Sequence, residues 1–162
     1  MTEIASCGSF TKTDAKNKLG SVGIPLSKNI VKVLPRLNDP EKRYDIDSEE
    51  LHYGEKGTAF IYSMSRTAGY NNNQEATDKI MYTDKDGRVW INTGDIFMID
   101  TDGYMFFEGR EKRVVVRPDG HNIPSSQIES IAASFEEIEL PVVVGSPSRL
   151  YAHGSVACLC VT

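Results

Sequence analysis

The chain has 162 residues, 18 Lys and Arg against 23 Asp and Glu, a net charge of −5, and 40% apolar residues, enough for one ordinary domain or two small ones. This acidic balance offers no field to draw in phosphate backbones or anionic lipid, which argues against nucleic-acid and membrane-surface binding. Cys7, Cys158 and Cys160 make neither an even disulfide framework nor a metal quartet and read as reduced thiols. The apolar stretch Leu140 to Val144 falls far short of the roughly 20 residues of a membrane span. Met1-Thr2-Glu3 carries an acid where a signal peptide would be basic, so the expected location is the cytoplasm.

In chain order, residues 1–19 are polar, lack periodicity and read as loop, ending in the Gly-punctuated turn Gly20-Ser21-Val22-Gly23-Ile24-Pro25. Ile30 to Leu34 alternates β-branched and polar residues and predicts a strand; Gly57 to Ser63 predicts another. Gly69-Tyr70-Asn71-Asn72-Asn73 reads as a loop before a short helix over Gln74 to Met81. Asp84-Lys85-Asp86-Gly87 signals a hairpin, because Asp-Gly supplies the positive φ that tight turns need, and Thr101-Asp102-Gly103 signals a second. Gly109 to Lys112 interrupts the strand pattern, which resumes at Arg113 to Arg117. Pro124-Ser125-Ser126-Gln127 then predicts a helix start capped by Ser, with Ile128, Ile131 and Ala132 as its apolar face. Leu140 to Gly145 and Ser155 to Val161 read as strands, so the last unit is βαββ. The aromatic run Tyr104, Phe106 and Phe107 reads as core, and His52, His121 and His153 lack metal-ligand spacing.

Chemistry concentrates in a few places. Thr93-Gly94-Asp95 sets a carboxylate just after a glycine, and an ionised Asp offers two acceptor oxygens, enough to grip both hydroxyls of a ribose. A plainer reading makes Asp95 a turn cap. Its company favours the first: Asp102-Gly103-Tyr104 runs to Gly109-Arg110-Glu111-Lys112, then come Gly120-His121-Asn122-Ile123-Pro124 and Gln127-Ile128-Glu129. Further pieces are Gly20 to Leu26, Gly69-Tyr70-Asn71-Asn72 with Glu75-Ala76-Thr77, and Val142-Val143-Val144-Gly145.

This ordered set resembles the adenylate-forming enzymes: acyl-CoA synthetases, the adenylation domains of peptide synthetases, and luciferases. The resemblance covers essentially the whole chain and implies an α+β fold, with an antiparallel β-barrel-like subdomain followed by a truncated small α+β C-terminal domain. It sets residues 1–19 as a loop from the end of a large nucleotide-binding domain, 20–109 as the barrel-like part, 110–112 as a hinge, and 113–162 as part of a lid domain. The activity it implies is an ATP-dependent acid–thiol ligase that makes an acyl-adenylate and passes the acyl group to CoA. Its partners would be a small-molecule carboxylate, ATP or AMP, Mg²⁺ and CoA.

The resemblance also implies roles. Asp95 would hold the ribose hydroxyls, Arg110 would reach the ribose or its phosphate, and Lys112 would sit in the hinge. Thr2 would contact the α-phosphate and Glu3 would help hold Mg²⁺, which favours carboxylate and phosphate oxygens. Gly120 would lie on the loop that swings in for thioester formation. Departures are Asn92, where the family has Arg or His before Thr-Gly-Asp, and Gln127 in place of a Glu. The family's Ser/Thr/Gly-rich phosphate loop and its C-terminal Gly-Lys have no counterpart in the 162 residues, so this stretch by itself is expected to be an inactive fragment. The alternatives are an adenylation domain that loads a carrier-protein phosphopantetheine, and a non-catalytic binding or assembly module.

Overall fold

The computed structural model describes residues 1–5, 8–11, 17–37, 39, 42–119, 121–147 and 154–162, with the side chain of residue 122 left aside. The chain divides into two compact units, Met1–Glu108 and Gly109–Thr162.

The first unit contains β1 (Ser9–Phe10), β2 (Ile24–Pro25), β3 (Asn29–Leu34), β4 (Lys56–Ser63), helix α1 (Gln74–Ile80), β5 (Met81–Thr83), β6 (Val89–Ile99) and β7 (Met105–Arg110, running into the second unit). The order β3-β4-β6-β5 forms one sheet with antiparallel pairing throughout, and β7 also pairs with β6. The antiparallel character expected from the hairpin signals is present; among the described residues the sheet does not close into a barrel.

Successive side chains of a strand point to opposite faces, and β4 uses both. Phe60, wholly buried, joins Leu34, Ile46, Tyr82 and Trp90 on one face. Its neighbour Ile61 joins Ile91 and Ile4 on the other. Ile4 comes from a single 3₁₀ turn, Thr2–Ile4, and is only 1% exposed. The expectation of a plain loop over residues 1–19 therefore fails. The start of the chain covers one face of the sheet, Ser9–Phe10 pairs with Ile24–Pro25, and Lys18 bonds Asp100 and Asp102 in the second hairpin. A side chain at Gly23 would meet the Phe10 carbonyl oxygen at 1.9 Å, so the close approach of these two segments requires glycine there.

Both hairpin turns stand where Asp-Gly signals them. Gly87 and Gly103 have φ of +79° and +82°. In the first, Asp84 Oδ1 accepts the backbone N–H groups of Asp86 and Arg88, while Oδ2 accepts the Trp90 indole N–H at 2.9 Å. The indole bond, with the backbone N–H groups behind it, holds the Asp84 carboxyl below its ordinary value of 3.8. A folded-state pKa below the unfolded one contributes stability above the unfolded value, and that contribution is lost as pH falls through the folded value. Asp84→Asn is thus expected to unfold more readily than the parent at pH 7, with the gap closing as pH drops below about 3.8. Urea unfolding at several pH values checks this; a gap of constant size would show that the charge plays no part.

The second unit opens with a 3₁₀ turn, Glu111–Arg113, followed by β8 (Val114–Val116), β9 (Asn122–Pro124), α2 (Ser125–Ala132), β10 (Val142–Pro147) and β11 (Ser155–Cys160). Strands β8 and β9 pair antiparallel, as do β10 and β11. Val115, Ala132, Val143 and Ser125 are buried. Two local expectations are corrected here. Pro124 occupies the N-cap of α2 with no side-chain cap bond, and the Ser125 hydroxyl instead donates to the Arg113 carbonyl at 2.7 Å. Ile131 is 66% exposed, which leaves Ala132 and half-buried Ile128 as the packed side of the helix.

Candidate functional site

The sequence places Asp95 at the mouth of a hairpin; the structure puts it in the interior of the eleven-residue strand β6. The register explains how a glycine fits there. Thr58 pairs with Ile96 and Phe60 with Asn92, so the single residue Ala59 of β4 faces Thr93, Gly94 and Asp95 of β6. This is a β-bulge, a device that bends a strand and re-aims its side chains. Gly94 takes φ of +66°, a conformation that costs a non-glycine residue about 1–2 kcal/mol.

Three hydrogen bonds fix the bulge. The buried Thr93 hydroxyl donates to the Ala59 carbonyl at 2.9 Å and accepts the Asp95 N–H at 3.0 Å, and Asn92 Oδ1 accepts the Gly94 N–H at 2.8 Å. The Asp95 backbone is therefore held by Thr93, and the residue is half-buried. The turn-cap reading of Asp95 gives way to this arrangement. Asn92, flagged in the sequence only as a departure from the family pattern, supplies one of the three bonds.

Thr2 and Glu3 lie on the 3₁₀ turn that Ile4 anchors. The Thr67 N–H donates to the Glu3 carbonyl at 2.7 Å and the Ser65 hydroxyl to the Ile4 carbonyl at 3.1 Å. The Tyr70 hydroxyl donates to Glu3 Oε1 at 2.7 Å, and that bond holds the Tyr70 phenol above its ordinary 10.0. No local pattern signals this contact across 67 positions of sequence.

In the second unit Arg110 is exposed at the end of β7, and Lys112 is exposed within the turn Glu111–Arg113. Arg113 pairs with Glu129, whose Oε1 also accepts the Val143 N–H at 2.9 Å, so α2 ties the start of this unit to β10. Gly120 and His153 lie outside the described residues. Among the described residues no three His, Cys, Asp or Glu side chains gather as a metal group, and no helix is long and apolar enough to cross a membrane.

No family model matches the chain. Among curated proteins, the acyl-CoA ligase sidI of Aspergillus fumigatus is 33% identical over 147 residues, which is 90% of this chain and 23% of that protein. The putative acyl-CoA ligase YdaB of Bacillus subtilis is 32% identical over 150 residues, 93% of this chain and 27% of that one. The ATP-bound structure of MatB from Rhodopseudomonas palustris matches the fold with a TM-score of 0.77 at 25% identity, over 99% of this chain and 29% of that chain. The chain belongs to the adenylate-forming, AMP-binding enzyme superfamily. It spans about a quarter of the length of the curated relatives it matches. The family's likeness extends over both units, since the shared fold covers almost every residue from the Thr2–Ile4 turn to β11.

Proposed function

We propose that this stretch of chain supplies the ribose-binding and metal-binding edge of the nucleotide site in an AMP-forming ligase that activates a carboxylic acid and passes it to CoA. The observation that carries this reading is the Thr93-Gly94-Asp95 bulge, where the bonds of Thr93 and Asn92 hold the backbone and so fix the point on β6 from which the Asp95 side chain leaves. Asp95 is assigned to the two ribose hydroxyls and Arg110 to the ribose or its phosphate. Thr2 is assigned to the α-phosphate. Lys112, in an exposed turn at the start of the second unit, is assigned to a hinge where a few dihedrals reorient one unit against the other, and Gly120 to the thioester-step loop.

Glu3 fits Mg²⁺ in a limited way. The ion keeps most of its shell as water and phosphate oxygen and takes one or two carboxylates. Glu3 Oε1 accepts the Tyr70 hydroxyl, Oε2 accepts no hydrogen bond among the described residues, and no further acid joins it in a metal group there. One carboxylate suits an ion that arrives on the nucleotide's phosphates. When bound, Mg²⁺ would neutralise phosphate charge as the acid oxygen attacks the α-phosphorus. The contribution of Asp95, Arg110 and Thr2 is orientation of the nucleotide rather than proton transfer.

The test is carboxylate-dependent exchange of pyrophosphate into ATP, run over a panel of acids with the full-length protein. Exchange with at least one acid, and AMP release on adding CoA, is the expected result. The 162-residue stretch made by itself is expected to give none, because it contains no Gly-rich run with a following Lys-Ser or Lys-Thr to cradle the phosphates. Folded full-length protein that binds neither ATP nor an acyl-adenylate analogue would contradict the reading.

A further inference from the structure

We propose that Tyr70 is a positioning residue that aims the Glu3 carboxylate at the metal–nucleotide complex. The inference rests on the assignment of Glu3 made above and concerns a residue with no role in it. Its starting point is the hydrogen bond from the Tyr70 hydroxyl to Glu3 Oε1, at 2.7 Å. A glutamate has three rotatable side-chain bonds, and its carboxylate samples many directions unless something fixes one oxygen. The phenol fixes Oε1 and leaves Oε2 to face a ligand.

The phenol is itself held by a rigid support. The Tyr70 N–H donates to Thr77 Oγ1 at 2.9 Å, and that hydroxyl donates to the Asn73 carbonyl at 2.9 Å. Thr77 is buried on α1, and Asn73 caps the same helix by accepting the Ala76 N–H at 3.0 Å. Gly69 lies so close that a Cβ there would meet the Thr77 methyl at 2.9 Å. The loop before α1 is thus locked onto the helix start, and Tyr70 projects from it.

The bond contributes direction rather than stability. The turn Thr2–Ile4 is already secured by burial of Ile4 and by the backbone-directed bonds from Thr67 and Ser65. Tyr70 is 41% exposed, so water replaces its hydroxyl at little cost to the fold. Direction matters for Mg²⁺ because the ion demands near-octahedral geometry with short bonds, and residues that orient a metal ligand alter metal affinity by about 10–100-fold.

The test uses the full-length protein, with Mn²⁺ as the probe ion read by electron paramagnetic resonance in the presence of ATP. Tyr70→Phe is expected to weaken retention of Mn²⁺ roughly tenfold. It should leave the unfolding midpoint and the affinity for metal-free ATP unchanged. Glu3→Gln should weaken Mn²⁺ retention at least as much, and Tyr70→Phe added to Glu3→Gln should weaken it no further. If Glu3→Gln weakens Mn²⁺ retention and Tyr70→Phe does not, the positioning role is wrong while the functional reading stands. If Glu3→Gln itself has no effect, the metal assignment fails and the inference falls with it. A Tyr70→Phe variant that loses metal-free ATP affinity together with thermal stability would mark Tyr70 as structural and overturn the proposal.

Discussion

Phe60→Ala is expected to lower the stability of the first unit by about 3–5 kcal/mol, the usual cost of removing a fully buried aromatic ring. Phe60 is 0% exposed and packs edge-on against Tyr44 and Tyr82, with ring centroids 5.0 and 5.2 Å away. Trp90, Leu34 and Ile46 complete the cluster, so the ring's loss leaves several neighbours without a partner and a backbone too constrained by β3 and β6 to collapse. The single tryptophan of the chain sits in this cluster, and its fluorescence in a urea titration reads the transition directly. Phe60→Leu should cost clearly less, because most of the volume is kept. A loss under about 1 kcal/mol for Phe60→Ala would mean that the face built around Trp90 is not the core described above.

The second large effect is on binding. Asp95→Ala in the full-length protein is expected to weaken an acyl-adenylate analogue by about 2–4 kcal/mol, or roughly 30-fold to several hundred-fold. The figure takes two charge-assisted hydrogen bonds to the ribose, reduced because water partly replaces them. Thr93 bonds the Asp95 backbone N–H and Asn92 the Gly94 N–H, and both bonds remain available to the variant. Unfolding of the variant, measured beside the parent, separates a binding effect from a collapse of the bulge.

What was legible in the sequence was local. Alternation along Ile30 to Leu34 marked β3 (Asn29–Leu34), and the Asp-Gly turns at Gly87 and Gly103 marked both hairpins, because each depends on a few neighbouring dihedrals. The misses all depend on partners distant in sequence. Asp95 reads as the mouth of a hairpin, yet β4 supplies Ala59 opposite Gly94 and β6 runs on through the bulge. The polar start reads as loop, yet Ile4 finds its place under Ile61 and Ile91. Ser125 has the chemistry of a cap, but the Arg113 carbonyl captures its hydroxyl. At the candidate site, Thr2, Glu3, Asp95, Arg110 and Lys112 came from ordered motifs, whereas Tyr70 and Asn92 gained their parts only once the chain was folded. Gly120 lies outside the described residues.

The central claim is that Asp95 holds the ribose of an adenylate. It is tested most directly by calorimetric titration of an acyl-adenylate analogue and of its 2′,3′-dideoxy counterpart into the parent protein and into Asp95→Ala. The account predicts that removing the two hydroxyls from the ligand weakens binding to the parent by about as much as Asp95→Ala does, and has almost no further effect on the variant, because the same two hydrogen bonds are absent either way. An equal penalty for the dideoxy ligand in both proteins would show that the ribose hydroxyls are held by other groups, and would contradict the account.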